Sequence, residues 1–158
     1  MILIVMGVAG CGKSTIGRQL ADRLGWPFYD GDDFHPAANV EKMRLGQPLT
    51  DEDRSEWLKV LVDLINNLVK QHQSAVMACS ALKQQYRDRL HVDASVRFIY
   101  LRGSSDLIEA RLRQRTGHYM PASLLASQFA ALEEPHGALT IDIRQPPEQI
   151  VAEIIGQL

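Results

Sequence analysis

Short apolar runs alternate along the whole chain with longer stretches in which apolar residues recur at helical spacing. The runs predict strands, because each is short and ends at glycine, proline or polar residues. They are Met1–Met6, Trp26–Asp30, Ala75–Cys79, Val96–Leu101 and Leu139–Ile143. The helical stretches are Ser14–Leu24, a long one after Thr50, Lys83–Leu90, Ser105–Arg115, Ala122–Leu132 and Pro147–Leu158. Strands that alternate with helices predict an α/β fold, with a parallel sheet built from right-handed βαβ units and covered on both faces.

The segment 31–48 interrupts this alternation. It contains two prolines, three acidic residues and no clean period, so we expect a functional loop or a broken helix there. Thr50 follows it and is placed to cap the long helix, whose first turn holds three acidic residues at 51–53.

Length, charge and cysteine content narrow the class of protein. A chain of 158 residues is about one domain. Its net charge of −2 argues against a binder of nucleic acid or of a membrane surface, which is usually basic. The only cysteines, Cys11 and Cys79, fit a reducing compartment. No apolar run approaches the roughly 20 residues of a membrane span, and no basic segment precedes the first apolar run, so we expect no signal peptide and a cytoplasmic location.

The segment Gly7-Val-Ala-Gly-Cys-Gly-Lys-Ser14 matches the phosphate-binding pattern G-x-x-x-x-G-K-[ST] between a predicted strand and a predicted helix. Glycines let successive backbone N–H groups face one anion, and the helix adds its positive N-terminal end. Lys13 is expected to act on the β- and γ-phosphates, and the Ser14 hydroxyl to reach Mg²⁺. The predicted nucleotide contacts are Gly7, Val8, Ala9, Gly10, Cys11, Gly12, Lys13, Ser14 and Thr15. Cys11 occupies a free position of the pattern and is expected to be a small filler. The loop indicates a nucleotide but not the acceptor, because hydrolases and switches use it too.

An acidic turn, Asp30-Gly-Asp-Asp33, follows the second predicted strand. Ligands of open α/β sheets bind at the carboxyl ends of strands. Transfer of a phosphoryl group to an alcohol needs an aspartate that orients the hydroxyl and accepts its proton, as well as carboxylates near Mg²⁺. The strands that end at Ser80 and Arg102 offer no Walker B aspartate. Asp30, together with Ser14, is therefore the predicted metal-side residue.

Several segments, in order and with family spacing, resemble the gluconokinases over nearly the whole chain. They are Asp30–Pro36, Asn39, Lys42-Met43, Gly46–Asp51, Asp53-Arg54, Trp57-Leu58, Cys79–Lys83, Tyr86–Asp88, Arg115–Met120 and Ser127–Phe129. One departure is Glu56, where gluconokinases commonly have proline. Because proline favours a helix start, we expect that the helix begins differently here.

The resemblance implies ATP-dependent phosphorylation of D-gluconate at its 6-hydroxyl, with ATP and Mg²⁺ as cofactors. It also implies the three-layer P-loop kinase fold, in which a five-stranded parallel sheet has helices on both faces and a mobile lid. Residues 1–158 would form one kinase domain, with a substrate-binding region at about 31–60 and a lid at about 113–125. Gluconate would be the small-molecule partner, with no nucleic acid or membrane, and a homodimer is usual in the family.

The resemblance also suggests roles for single residues. By analogy with shikimate kinases, Asp32 would be the general base and Asp30 would hold a Mg²⁺-bound water. Guanidinium groups bind carboxylates in a bidentate manner, so the best candidates for the gluconate carboxylate are Arg54 and Arg87. Further candidates for substrate contacts are His35, Asn39, Lys42, Lys83 and His118. Arg115 would neutralise charge on the transferred phosphoryl group, and Arg111 would lie on the adenine or phosphate side.

Two alternative functions stay open. One is a related small-molecule kinase that acts on shikimate or on a nucleotide. The other is a nucleotide-binding regulator without transferase activity. The segments around His35, Lys83 and Gly117 disfavour the first, because they match gluconokinases specifically. The complete phosphate loop, the paired aspartates and the arginine-rich predicted lid disfavour the second.

Overall fold

The computed structural model describes residues 1–114 and 122–158. The strands in these residues are β1 (Ile2–Met6), β2 (Phe28–Asp30), β3 (Ala75–Ala78), β4 (Val96–Arg102) and β5 (Leu139–Asp142). The helices are α1 (Lys13–Leu24), α2 (Ala37–Arg44), α3 (Asp51–Lys70), α4 (Gln84–Leu90), α5 (Ser105–Gln114), α6 (Ala122–Ala131) and α7 (Pro147–Gly156). A short 3-10 helix covers Gly31–Phe34. No helix among the described residues is both long enough and apolar enough to cross a bilayer.

The five strands form one parallel sheet in the order β2-β3-β1-β4-β5. Strand β1 is central and fully buried because it is covered on both faces. Its residue Ile4 pairs with Met77 on one side and with Phe98 on the other. All strands run the same way, so the residues that follow β1 and β2 meet at one edge of the sheet. The predicted α/β fold is confirmed.

Alternate side chains of β1 enter two separate hydrophobic clusters. Leu3 and Val5 pack with α1, α5 and α7 on one face. Ile2 and Ile4 pack with α3 and α4 on the other. Because side chains of a strand alternate between faces, this apolar run supplies both cores at once. The result is the three-layer arrangement of helix, sheet and helix that the sequence predicts.

The irregular segment 31–48 contains the 3-10 helix and the short helix α2. Thr50 then caps α3 as predicted: its hydroxyl accepts the Asp53 N–H, and the Asp53 carboxylate accepts the Thr50 N–H. The helix therefore begins at Asp51. Glu56 lies in its second turn and takes no part in the capping box at the helix start. The capping box fixes the start several residues earlier.

Candidate active site

The phosphate loop joins β1 to α1 in a tight turn that depends on its glycines. Gly10 has a positive φ of 82°, and a Cβ atom there would lie 2.9 Å from Leu112 Cδ2 of α5. A Cβ on Gly7 would lie 2.9 Å from the Leu101 carbonyl oxygen of β4. Any other residue at these two positions would therefore push the loop away from its neighbours.

Two side chains of the loop turn inwards and support it. The Lys13 ammonium donates to the Val8 carbonyl at 3.1 Å, so it bridges the two ends of the loop. The Cys11 side chain is buried, and burial raises the pKa of its thiol despite the nearby Lys13 charge. A buried, protonated thiol is a filler rather than a nucleophile, in agreement with its expected part.

The end of β2 meets the start of α1 through a hydrogen bond between Ser14 and Asp30. Ser14 Oγ donates to Asp30 Oδ2 at 2.7 Å, and Asp30 Oδ1 accepts the Asp32 N–H at 3.0 Å. A hydroxyl and a carboxylate are hard oxygen ligands, and Mg²⁺ is usually held by one or two protein oxygens, waters and phosphates. No cluster of three or more His, Cys, Asp or Glu suited to a metal occurs in the part of the chain described. The pair Ser14 and Asp30 thus fits a magnesium ion bound largely by its nucleotide.

Asp32 projects into the cleft with its side chain 71% exposed, and the buried side chain of His35 lies beside it. The Asn39 Nδ2 group donates to the Asp53 carbonyl at 2.8 Å and lies 3.3 Å from His35 Nδ1. An amide nitrogen has only hydrogens to give, so His35 Nδ1 accepts and Nε2 holds the ring proton. That Nε2 lies 3.7 Å from Asp32 Oδ1. His35 is the main cause that lowers the pKa of Asp32, which keeps the carboxylate ionised.

On the far side of the cleft, Arg54 of α3 contacts Tyr86 of α4. Its Nη1 donates to the Tyr86 hydroxyl at 3.3 Å, and its guanidinium lies 5.6 Å from the centre of the Tyr86 ring. The Tyr86 hydroxyl donates to Asp51, which also pairs with Lys83 at 2.8 Å. Lys83 first and Tyr86 second hold the pKa of Asp51 at about 2. This network fixes the position of Arg54 beside the cleft.

Two cavities follow the phosphate loop. The larger, a cleft of about 560 Å³, contains three predicted substrate residues together with loop residues. The predicted residues that line this cleft are Ala9, Gly10, Gly12, Lys13, Ser14, Thr15, Asp30, Asp32, His35 and Arg54. The smaller, of about 290 Å³, is lined by Cys11, Arg111 and the start of α7 as well as by the loop. Arg111 Nη2 donates to the Ile143 carbonyl at 2.5 Å, which holds the guanidinium at the wall of the smaller cavity.

The structure corrects the prediction for Arg87, which does not line the cleft. Its residue surface is only 3% exposed. Its guanidinium donates to the carbonyls of Ala81, Leu82 and Glu133 and to the Gln84 side chain. These bonds join α4 to the turn after β3 and to the segment after α6. Arg87 is a structural residue and is not available for a substrate carboxylate.

Three of the further candidates for substrate contacts, Asn39, Lys42 and Lys83, also lie outside the cleft. Asn39 is 4% exposed and uses its amide to hold His35. Lys42 pairs with Asp53 at 2.7 Å, and Lys83 with Asp51. The prediction that Asn39 contacts the substrate directly is therefore wrong. The two lysines are engaged in ion pairs. His35 lines the cleft, but its side chain is 4% exposed, so its contact is with Asp32.

Arg115 and His118 lie outside the described residues, as do residues 115–121 of the predicted lid. The roles given to them stay predictions.

Several residues that line the cleft were not among the predicted site residues. They are Met43, Gln47, Pro48, Leu49, Trp57, Ser80, Leu112, Leu124, Ser127 and Gln128. Most belong to the gluconokinase-like segments, which were the available signal. The segments did not show which side chains point inwards, because that depends on packing between distant elements.

The comparisons with known proteins agree with this geometry. A family model described as shikimate kinase matches residues 9–158. The gluconokinase of Gluconobacter oxydans is 46% identical over 157 residues, which cover 97% of this chain and 88% of that protein. The chain belongs to the gluconokinase family. A solved gluconokinase from Sinorhizobium meliloti is 40% identical, covers 98% of this chain and 89% of its own, and superposes with a TM-score of 0.88.

More distant structures show the fold alone. The APS kinase of Mycobacterium tuberculosis is 18% identical and has a TM-score of 0.71, with 98% of this chain and 95% of that chain covered. The family and the fold together make this chain a kinase, that is, an enzyme that transfers phosphoryl groups, with the P-loop kinase fold. The recognition of the family from its motifs is confirmed.

Proposed function

We propose that this gluconokinase-family enzyme transfers the γ-phosphoryl group of ATP to the 6-hydroxyl of D-gluconate, giving 6-phospho-D-gluconate and ADP. One observation carries the proposal: Asp32 and Arg54 line the same cleft as the phosphate loop. The cleft thus combines a carboxylate for a hydroxyl, a guanidinium for a carboxylate and amide groups for phosphates. Gluconate, with a hydroxyl at one end and a carboxylate at the other, matches these groups in kind.

In this reaction Asp32 is the general base. The 6-oxygen of gluconate forms a bond to the γ-phosphorus, and the bond from that phosphorus to the β,γ-bridging oxygen breaks. The hydroxyl proton passes to the Asp32 carboxylate, and ADP leaves with the electron pair. His35 keeps Asp32 ionised and oriented, so the carboxylate is ready to accept the proton.

The loop and the metal-side pair stabilise the charge of the phosphates. Backbone N–H groups of the loop and Lys13 would contact the β- and γ-phosphates. Ser14 and Asp30 would hold Mg²⁺, which supplies charge neutralisation for the transferred group. Arg115 is proposed to act on the same group. Loss confined to KM in Arg115→Ala, with kcat intact, would argue against that part.

Binding of gluconate is assigned to Arg54, whose planar guanidinium can donate two parallel hydrogen bonds to a carboxylate. Its contact with Tyr86 restricts its rotamers, so less conformational freedom is lost when the carboxylate binds. His118 is a further proposed contact.

We also propose one kinase domain over 1–158, with its substrate-binding region at about 31–60 and a lid at about 113–125. A homodimer is proposed on the family resemblance. A cytoplasmic location is proposed because the two buried free cysteines fit a reducing compartment.

A coupled assay of ADP release tests the function. The purified protein is given Mg²⁺ and ATP with D-gluconate, other aldonic acids, shikimate or nucleoside monophosphates. D-gluconate is expected to give the highest kcat/KM, and the product should carry its phosphate on the 6-oxygen by ³¹P NMR. Faster turnover of shikimate or of a nucleotide would overturn the substrate assignment. Tight ATP binding without turnover of any acceptor would instead favour a nucleotide-binding regulator. Light scattering of the same sample tests the homodimer.

A further inference from the structure

Gln128 of α6 reaches the phosphate loop across the larger cleft. Its Oε1 accepts the Ala9 backbone N–H at 2.6 Å, although 119 residues separate the two in sequence. Both residues line the cleft. Gln128 is half-buried, and its neighbour Leu125 is buried in the hydrophobic core, so α6 holds the carboxamide firmly against the loop.

Ala9 lies on the side of the loop that faces Asp32, where the phosphoryl-accepting substrate would bind. Gly10 and Gly12 line both cavities, but Ala9 lines only the larger one, which also contains Asp32. A nucleotide whose base lies near Arg111 in the smaller cavity would run its phosphates past Gly12 and Gly10 towards Ala9. The last phosphoryl group then lies beside the Ala9 N–H, between the loop and Asp32.

A single N–H group donates well to one acceptor at a time. We propose that Gln128 is a specificity-determining residue that distinguishes nucleoside triphosphates from diphosphates, because its Oε1 and a γ-phosphoryl oxygen compete for the Ala9 N–H. ADP lacks the third phosphate and leaves the bond between Gln128 and Ala9 intact. ATP breaks that bond when its γ-phosphate binds. The bond between the Gln128 side chain and the loop is therefore lost only when a transferable phosphoryl group is present.

The inference rests on the proposed use of ATP, and its test measures binding rather than turnover. Isothermal titration calorimetry gives Kd for ADP and for the β,γ-imido analogue of ATP, both with Mg²⁺. Gln128→Ala removes the competing acceptor, so the ratio of Kd for ADP to Kd for the analogue should rise about two- to tenfold, the worth of one net hydrogen bond. Gln128→Glu keeps the shape but places a carboxylate there. It accepts the same N–H more strongly and repels the γ-phosphate, so the ratio should fall by about tenfold or more.

Gln73 provides matched controls, because it is exposed in the turn before β3, at the opposite edge of the sheet. Gln73→Ala and Gln73→Glu should leave the ratio unchanged. A ratio that stays within about twofold of the wild-type value in both Gln128 variants, or that moves in the same direction in both, would overturn the inference while leaving the kinase assignment intact. Failure of the wild-type protein to bind either nucleotide would overturn both. Because Gln128→Glu is isosteric, it keeps the comparison available even if the alanine variant unfolds.

Discussion

His35 stacks on Trp57, with ring centroids 4.2 Å apart and an angle of 13° between the rings. Trp57 Nε1 also donates to the Gly31 carbonyl at 2.7 Å. One buried side chain of α3 therefore holds both the first residue of the 3-10 helix and the histidine that faces Asp32. The hydrophobic core under the cleft determines where the acidic turn lies.

Trp57→Phe tests this connection. The variant keeps an aromatic ring against His35 but removes the donor to Gly31, and loss of a buried hydrogen bond costs about 1–3 kcal/mol. We expect the free energy of unfolding in urea to fall by about that amount. Trp26→Phe is the control, because Trp26 is half-buried at the edge of the other cluster. Equal losses in the two variants, or no loss in Trp57→Phe, would contradict the connection.

The ion pair between Asp53 and Lys42 is expected to make the free energy of unfolding depend on pH. Lys42 first, and then the Thr50 N–H, hold the pKa of Asp53 at about 2, below its ordinary value of 3.8. A depressed pKa in the folded state stabilises the fold above the unfolded value, and this stabilisation is lost as pH falls from about 4 to about 2. The difference in unfolding free energy between the wild type and Asp53→Asn should be largest above pH 4 and should shrink towards pH 2.

Asp63→Asn is the control for that experiment, because Asp63 is an exposed residue of the same helix. The unfolding free energy of Asp63→Asn should change with pH in the same way as that of the wild type over this range. If the unfolding free energy of Asp53→Asn also changes with pH as that of the wild type does, the ion pair with Lys42 does not contribute to the loss of stability in acid.

The fold was predictable because its signals are local. Among the described residues, the spacing of apolar residues predicted the five strands and six of the seven α-helices to within a few residues, and the capping pair Thr50 and Asp53 is three residues apart. Helix α2 was not predicted, because the segment 31–48 has no clean apolar period. Strand β2 begins two residues later than predicted, because Trp26 and Pro27 lie before its start at Phe28. Proline has no N–H for the ladder, so pairing starts after it.

The site was only partly predictable, because side-chain direction depends on packing between distant elements. Arg54 and Arg87 both lie in family-like helical segments, and nothing in either segment tells them apart. In the structure Arg54 borders the cleft, whereas Arg87 lies under the turn after β3 and binds its carbonyls. The phosphate loop and the acidic turn were predictable because their chemistry follows directly from residue type and order along the chain.

The two arginines should respond differently to substitution. Arg54→Ala removes a charged hydrogen-bond donor to the carboxylate, so KM for gluconate should rise about 10- to 150-fold while KM for ATP stays near the wild-type value. Arg87→Ala leaves buried carbonyls without donors, so its unfolding free energy should fall by about 2–5 kcal/mol. Steady-state kinetics and urea unfolding measure both. A selective rise of KM for gluconate in Arg87→Ala, with unchanged stability, would show that Arg87 binds the substrate instead of supporting the fold.

Substitution of the neighbouring residues Asp32 and Asp33 distinguishes the effect of a catalytic base from the effect of negative charge in the turn. Both are exposed and lie in the same turn, but only Asp32 lines the cleft and faces His35. Asp32→Asn cannot accept the hydroxyl proton, so kcat should fall about 10²- to 10⁴-fold. The Kd of ATP, measured separately, should change little, because the asparagine keeps the shape of the turn. Asp33→Asn should keep kcat within about twofold of the wild type, since it removes the same charge without removing the base. Similar kcat values in the two variants would show that the charge of the turn, and not a base at position 32, supports the transfer.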